Sequence, residues 1–356
     1  MPPRYLSILA HFINFRLGIF AAFPYFVFFL RWSLRLREWI FIIALFFVSF
    51  WQCFISYSLF DQLLLMANTI ELILFCLFLL LGGTLFEKAT ARQLMRVALA
   101  IGLMTFIDYY LLKLKITHML SLGGGLVDPL KSDRGAFILS TEASYWGLTL
   151  LGFYAYCLAR KWWAPTLMFA FLMVLNHSIY AVSFFALLTF VLLPPRYFMP
   201  LVFLTAAMTV FSLQTGLFPL RLKIFFLNLL SNKYDFSNLL TFVESVESEY
   251  GSRRFSNVIK SVMDAKLWGP QFTVQPYSGM SQLISVYGWV MGIGFMLWLT
   301  VLTVLRYQLR LLHTLFLIVL LVIAGPVSIP FMYAYLFGLS PPRKTDEGAL
   351  NTRPGP

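Results

Sequence analysis

Long apolar runs separated by short polar turns fill most of the chain. A transmembrane helix needs about 20 consecutive apolar residues, and most of these runs are long enough to be one. We predict an all-α, polytopic membrane protein of about 10 transmembrane helices, with a single transmembrane domain over residues 1–339. The runs lie at Tyr5–Leu30, Trp39–Phe60, Leu63–Phe86, Val97–Leu112, Glu142–Leu158, Pro165–Leu193, Tyr197–Leu217, Gly279–Leu305 and Leu311–Leu339.

Pro165–Leu193 decides the orientation of the chain because Asn176-His177-Ser178 interrupts it. If it forms two short spans with a polar tip, every basic turn falls on one side, which the positive-inside rule assigns to the cytoplasm. If it forms one span, Arg196 lies outside and all later segments are reversed. We favour the hairpin. The basic turns are Arg31–Arg37, Lys88–Arg96, Arg160-Lys161, Arg196 and Arg306–Arg310.

Prolines leave the two ends of the domain open to two interpretations. Tyr5–Leu30 contains Pro24, and Leu311–Leu339 contains Pro330. Each could be one long kinked helix or a broken pair, because proline removes a backbone donor and bends a helix. Residues 340–356 are polar and rich in Pro and Gly, so we predict a disordered tail.

Composition supports a membrane protein. Hydrophobic residues make up 60% of the 356 residues and charged residues 12%, whereas soluble proteins carry about 25% charged residues. We interpret the net charge of +12 as loop charge that orients the chain, and we expect no nucleic-acid partner. Cys53, Cys76 and Cys157 lie in apolar runs without metal-ligand or disulfide spacing, so we interpret them as packing residues.

Two polar segments are predicted on the outer side: a first periplasmic loop at 113–141 and a large, partly helical periplasmic loop at 218–278. In the second, Arg221–Ser278 holds seven basic and five acidic residues. A helix here would be amphipathic and would lie at the membrane surface, with its cationic face either turned to a ligand or paired with nearby glutamates. One face would carry Arg253, Asn257, Lys260 and Asp264, and another Phe255, Ile259, Val262 and Met263.

The first loop ends where a span begins. Ser140 or Thr141 is a suitable N-cap, which places Glu142 in the first turn, where the helix dipole favours a carboxylate. That structural explanation and a catalytic role for Glu142 both remain open. Arginines such as Arg134 on an outer face beside lipid indicate an anionic ligand, and a lipid-linked diphosphate fits.

Three segments carry a family resemblance. Arg134-Gly135-Ala136-Phe137, followed by Thr141 to Gly147, is similar to an arginine before a Glu-Pro-Ser that opens a span, with Ala143 replacing the proline. Ser252-Arg253-Arg254 followed by Leu267-Trp268-Gly269-Pro270 is similar to an outer-loop arginine and its Gly-containing turn. Tyr277-Ser278, Gly288 and Gly292 follow a His, Asn/Ser/Gln, Gly-x-x-Gly pattern, with tyrosine for histidine and the second glycine one residue late.

Together these segments resemble the O-antigen polymerase (Wzy-type) branch of the bacterial O-antigen ligase and polymerase superfamily. The resemblance implies a multi-pass bacterial inner-membrane glycosyltransferase (C-type) with its active site facing the periplasm. It would polymerise undecaprenyl-diphosphate-linked oligosaccharide repeat units into a surface polysaccharide such as O-antigen. The implied partners are that lipid-linked glycan, membrane lipid and a chain-length regulator.

This chemistry assigns roles to named residues. Arginine binds phosphate oxygens in a bidentate fork, so Arg134 and Arg254, then Arg253, are the candidates for the diphosphate clamp. Glu142 is the first candidate proton acceptor and His177 the second. No ligand-spaced Asp/Glu/His set is visible in the sequence, so we expect metal-independent transfer without a cofactor. The remaining candidates bind substrate: Asn257, Lys260, Tyr277 and Ser144.

Three other functions remain as alternatives. An O-antigen ligase would move glycan onto lipid A core, but Tyr277 stands where ligases carry histidine. A lipid-linked oligosaccharide flippase or transporter would have related halves and polar groups near the bilayer midplane. A structural or assembly protein would use its arginines only for salt bridges. Asn68 and Glu71, inside the third apolar run, are either functional groups or a buried structural hydrogen bond.

Overall fold

Every regular element in the described part of the chain is helical. The computed structural model describes residues 4–6, 25–55, 59–107, 143–176, 179–193, 195–197, 199–200, 254–271, 278–323 and 330–339, with Asn228, Ser231, Thr241, Glu244 and Ser245. Short 3-10 segments lie at Tyr25–Phe29, Gly82–Leu85, Pro195–Tyr197 and Pro330–Ala334. The α-helices there are α1 (Leu36–Ile55), α2 (Leu59–Leu81), α3 (Ala91–Thr105), α4 (Ala143–Ala159), α5 (Trp163–Asn176), α6 (Ile179–Leu192), α7 (Arg254–Met263), α8 (Gly279–Tyr287), α9 (Trp289–Tyr307), α10 (Leu311–Ile323) and α11 (Tyr335–Leu339).

Three of these helices are long and apolar enough to cross a membrane. They span Leu36–Phe54, Asp61–Leu85 and Trp289–Tyr307, and correspond to α1, α2 and α9. Shorter apolar helices occupy Trp146–Ala159, Trp163–Met173 and Leu311–Val322. Within the described residues the predicted all-α class is confirmed, and these helices have the length and composition of membrane spans. The predicted total of about 10 spans stays a prediction.

The predicted basic turns gather at one end of the helix bundle, which we call the basic end. Arg31 donates its backbone N–H to Thr84 Oγ1 at 3.1 Å. Arg306 contacts Glu38 at 2.6 Å. The Phe86 ring lies 4.4 Å from that of Tyr156, beside Arg160, and the rings of Trp163 and Tyr197 are 6.3 Å apart. The basic end therefore comprises the turns Arg31–Arg37, Lys88–Arg96, Arg160-Lys161, Arg196 and Arg306–Arg310.

The charge pair at the basic end is buried. Glu38, in the first turn of α1, is 0% exposed, and the Arg306 side chain, in the last turn of α9, is 10% exposed. Glu38 Oε2 also accepts the backbone N–H of Arg35 at 2.8 Å, and Arg306 reaches Ser33 Oγ at 3.5 Å. The pair joins the start of one spanning helix to the end of another.

Helices α5 and α6 form the predicted hairpin. The ring of Phe153 in α4 lies 5.2 Å from Phe169 in α5, while that of the next residue, Tyr154, lies 4.7 Å from Phe185 in α6. In one continuous helix, Phe169 and Phe185 would be about 24 Å apart. Neighbouring residues of α4 could not then contact both, so the chain folds back between α5 and α6.

The C-terminal apolar run is a broken pair. Helix α10 leads away from the basic end, whereas Pro330–Ala334 and α11 return towards it alongside α4. A Cβ at Gly152 would collide with the carbonyl oxygen of Phe331, and one at Gly338 would lie 2.8 Å from the carbonyl oxygen of Tyr156. Two glycines thus let this returning segment pack against the buried helix α4 at backbone distance.

Candidate functional site

The run Gly279–Leu305, predicted as one span, is two helices. Gly288 separates α8 from α9 with φ +81°, a conformation that glycine adopts without steric cost. Helix α9 packs back on α8, since a Cβ at Gly292 would lie 2.8 Å from Ile284 Cα. The glycines of the third sequence motif therefore have a structural role: one breaks the helix and the other allows close packing of its two parts.

Helix α8 begins inside the bundle. It has 9 residues against 19 in α9, so it extends only about 13 Å from the break. Gly279, at its first turn, packs against Phe75 in the second half of α2 and Leu321 of α10. Gln271 donates its N–H to the Ser285 carbonyl at 2.8 Å, which places residue 271 beside the last turns of α8. Residue 271 therefore lies beside the last turns of α8, whereas the first turn of α8 lies deeper in the bundle.

The buried start of α8 satisfies its own polar groups. Ser278 Oγ accepts the Ser281 N–H at 3.1 Å, and Ser281 Oγ accepts the Ser278 N–H at 2.9 Å. Both serines are 0% exposed. This capping box supplies partners that water would otherwise provide at a helix start, so a helix can begin at depth in an apolar bundle.

A turn between α7 and α8 caps the start of α9. Trp289 donates its N–H to the Lys266 carbonyl at 2.9 Å, and Val290 donates to the Leu267 carbonyl at 3.3 Å. A Cβ at Gly288 would lie 2.8 Å from both the Leu267 oxygen and Trp268 Cα. The glycine-containing turn of the second sequence motif thus packs directly on the first glycine of the third.

Helix α7 packs on α8 and keeps its predicted charged face exposed. Lys260 and Asp264 are exposed, and Asn257 is half-buried. Lys260 Nζ lies 3.0 Å from Glu244 Oε1, with the side chains 48% and 46% exposed, so this residue makes the glutamate pair that the sequence left as an alternative. On the predicted apolar face, Met263 is 69% exposed, and Ile259 and Val262 are half-buried. The fully buried positions of α7 are the small residues Ser256 and Ser261.

Helix α8 also meets a polar cluster near the middle of α2. Gln282 Nε2 lies 3.2 Å from Asn68 Oδ1 and 3.4 Å from Glu71 Oε2. Gln282 is 3% exposed, whereas Asn68 and Glu71 are half-buried. We call these three residues the mid-span cluster. One carboxamide, donating two hydrogen bonds, connects Asn68 and Glu71 of α2 to the first turn of α8.

A second hydrogen-bond network fixes the other end of α8 within the bundle. Tyr287 donates its hydroxyl to the Leu45 carbonyl of α1 at 3.2 Å and accepts from Ser49 Oγ at 2.9 Å. Thr69 of α2 donates to Ser49 Oγ at 2.8 Å. The hydroxyl groups are buried, so the network holds α8 against both α1 and α2.

The structure describes four of the predicted site residues, at least in their backbone, and five lie outside the described residues. Asn257 and Lys260 lie on α7 as just described, Arg254 is the first residue of α7, and Ser144 lies in the first turn of α4. The side chains of Arg254 and Ser144 are outside the described part of the structure. Also outside the described residues are Arg134, Glu142, His177, Arg253 and Tyr277.

Within the described residues, no group of three or more His, Cys, Asp or Glu side chains is arranged to bind a metal ion. Cys76 and Cys157 are buried and Cys53 is half-buried, and all three are free thiols. Their position among apolar side chains agrees with the predicted packing role.

Sequence reasoning missed Gln282 in this site and Glu38 at the basic end. Gln282 lies in an apolar run where one carboxamide gives no signal, although it faces the noted pair Asn68 and Glu71. Glu38 lies beside a basic turn, where the sequence pattern indicated only orientation. A detectable signal was the acidic residue itself, since a carboxyl group next to a span requires a partner.

Comparison with known proteins gives no relative. The chain matches no family model, no curated protein and no solved structure. Its function must therefore be argued from its own residues and geometry.

Proposed function

We propose that the protein is a membrane glycosyltransferase that polymerises undecaprenyl-diphosphate-linked oligosaccharide repeat units. The reaction would take place at the periplasmic face of the bacterial inner membrane. A glycan chain on one lipid carrier moves to the sugar of a second carrier, and the first diphosphate lipid leaves. Because diphosphate is a good leaving group, positioning and charge stabilisation supply most of the rate enhancement.

The observation that carries this proposal is the packing of the Leu267–Pro270 turn on Gly288. It joins two segments that resemble the polymerase family into one unit, and α7, which begins at Arg254, packs on the same unit. Arg254 thereby begins a helix that packs on α8, the helix that follows Tyr277 in the sequence. We propose that Arg254, Arg253 and Arg134 bind the diphosphate, and that Asn257, Lys260, Tyr277 and Ser144 contact the glycan.

The turn itself has a surface suited to lipid. Leu267 is 67% and Trp268 is 61% exposed, and Met263 at the end of α7 is exposed as well. Apolar and tryptophan side chains next to lysines are typical of a membrane–water boundary. A lipid-linked substrate would approach this edge from the bilayer, with its acyl chain in lipid and its diphosphate near α7.

The test is polymerisation by purified protein. Wild-type protein in detergent or vesicles receives lipid-linked repeat units, and the products are separated on a gel. We expect a ladder from the wild type and from Arg310→Ala, an exposed arginine at the basic end. Arg254→Ala and Arg134→Ala should express normally but leave single repeat units. A wild-type protein that makes no ladder would contradict the proposal, and ladders from both arginine variants would contradict the clamp.

A transporter of lipid-linked oligosaccharide is a second candidate, favoured by the mid-span cluster. Transporter sites lie near the bilayer midplane at discontinuous helices, and Glu71 faces the short helix α8 in the middle of α2. The discriminating experiment reconstitutes the protein in vesicles with a labelled lipid-linked oligosaccharide. Movement of the label between leaflets without chain growth would favour transport, whereas chain growth without such movement favours polymerisation.

A further inference from the structure

Within the described residues, the partners of the Glu71 carboxyl group are neutral. It lies near the middle of α2, where its described hydrogen bond comes from Gln282. Within the described residues, Glu71 has no lysine or arginine at ion-pair distance. Ionisable groups at membrane depth are costly, and by default they indicate a functional site such as a proton relay or a substrate path.

The fold itself does not require an acid at this position. Gln282 donates to Glu71, and the carboxamide oxygen of a glutamine at residue 71 could accept the same hydrogen bond. A glutamine would avoid the cost of a charge in an apolar bundle. The difference between the two side chains is the ability to take up and release a proton, so that ability is what the site gains from Glu71.

Glu71 is also connected to the proposed substrate site. Its side chain is half-buried, and its hydrogen-bond donor Gln282 is buried. Gln282 belongs to the first turn of α8, which begins just after Tyr277, and α7 with Arg254 packs on that helix. The carboxyl group therefore contacts the unit to which the diphosphate clamp is assigned.

We propose that Glu71 is the proton acceptor of the transfer reaction, in place of Glu142 or His177. This inference rests on the proposed function. The acceptor sugar hydroxyl gives its proton to the Glu71 carboxylate while its oxygen forms the bond to the anomeric carbon of the donor. The bond from that carbon to the diphosphate oxygen breaks, and the electron pair leaves with the diphosphate lipid. The protonated Glu71 then returns its proton to water.

Gln282 and Asn68 position the carboxylate in this proposal. The two hydrogens of the Gln282 carboxamide point to Asn68 Oδ1 and Glu71 Oε2, which fixes the orientation of the donor. Glu71 Oε2 is then engaged, and the remaining oxygen can face the acceptor hydroxyl. Loss of Gln282 should disturb this geometry without removing the base.

The experiment measures initial rates of chain extension by purified Glu71→Gln, Glu71→Asp, Gln282→Ala and Glu142→Gln proteins. We expect Glu71→Gln to lose about 10²–10⁴-fold in kcat, the usual contribution of a general base, with KM little changed. Glu71→Asp should retain part of the rate, and Gln282→Ala should lose less than Glu71→Gln. Arg310→Ala, measured in parallel as the control, should remain close to the wild type.

The outcomes separate this inference from the function on which it rests. A wild-type protein without a ladder overturns the proposed polymerase, and the role of Glu71 falls with it. A wild-type ladder together with a full rate in Glu71→Gln overturns only the role of Glu71. A lowered rate counts for the proposal only if Glu71→Gln melts at the wild-type temperature and Glu71→Asp recovers activity. If Glu142→Gln loses activity while Glu71→Gln keeps the wild-type rate, the proton acceptor is Glu142 rather than Glu71.

Discussion

Glu38 and Glu71 are carboxyl groups on neighbouring helices of the bundle, yet their surroundings differ. Glu38 is fully buried at the basic end, pairs with Arg306 at 2.6 Å and accepts the Arg35 backbone N–H. Glu71 is half-buried near the middle of α2, and a neutral carboxamide donates to it at 3.4 Å. A carboxylate compensated by a cation and fixed by backbone holds a fold together. The carboxyl group of Glu71, among neutral partners in the described part of the chain, lacks that compensation.

Breaking the buried pair should produce the largest change in stability. Glu38→Gln leaves the Arg306 guanidinium buried without a counter-charge, which should lower the free energy of unfolding by about 3–5 kcal/mol. The measurement is the unfolding midpoint in detergent, with Arg310→Ala as the control for an exposed arginine at the same end. The double variant Glu38→Gln/Arg306→Met should recover most of the lost stability. If Glu38→Gln alone is as stable as the wild type, the contrast between Glu38 and Glu71 is wrong.

The packing of α8 on α9 should show the next effect. Gly292→Ala introduces a Cβ 2.8 Å from Ile284 Cα and should cost about 1–3 kcal/mol, as overpacking usually does. Gly294 is the matched control because a Cβ there meets nothing within 4 Å. Gly294→Ala should be neutral or slightly stabilising in the same unfolding measurement. Equal losses in both variants would show that helical glycine itself, rather than close packing, is responsible.

The exposed pair of Lys260 in α7 with Glu244 is a third carboxylate interaction, and it should be weaker than the buried pair of Glu38 with Arg306. Lys260 and Glu244 are about half exposed, so Lys260→Ala should lower the free energy of unfolding by no more than about 0.2–1 kcal/mol. High salt should remove this small difference between variant and wild type, because exposed charges are screened. A loss as large as that of Glu38→Gln would mean that α7 is buried in an assembly of the full protein.

Glu71→Gln should have the smallest effect on stability. The substituted carboxamide can still accept from Gln282, so the unfolding midpoint should stay within the error of the wild-type value. The matched comparison is Glu38→Gln, which makes the identical chemical change at the paired position. A midpoint lowered by Glu71→Gln as much as by Glu38→Gln would show that Glu71 is a structural residue.

Part of the fold was readable from the chain because the signals are local. Apolar runs predicted spanning helices, and the basic turns predicted a shared end, which the contacts of Arg31 with Thr84 and Arg306 with Glu38 confirm. The interruption at residues 176–178 predicted the α5–α6 hairpin. The run after Gly279 was predicted wrongly as one span, since hydropathy does not register the positive φ of Gly288 that divides it.

The candidate site was less predictable. The face of α7 that carries Lys260 and Asp264 followed from helical periodicity. The side that packs on the protein did not, because the fully buried positions are two serines, Ser256 and Ser261. Periodicity identifies which residues share a face, but the neighbouring helix determines which face is covered. Small side chains such as serine suit close helix packing in membrane proteins.

The sequence by itself determined that this chain is a helical membrane protein, which segments are apolar enough to span, and which turns carry the positive charge. Only the tertiary structure decided that Glu71 meets Gln282, 211 residues away, and that Glu38 meets Arg306, 268 residues away. The reason is physical. Transfer into lipid depends on each segment's own composition, whereas helices already in lipid choose their neighbours by close packing and polar contacts.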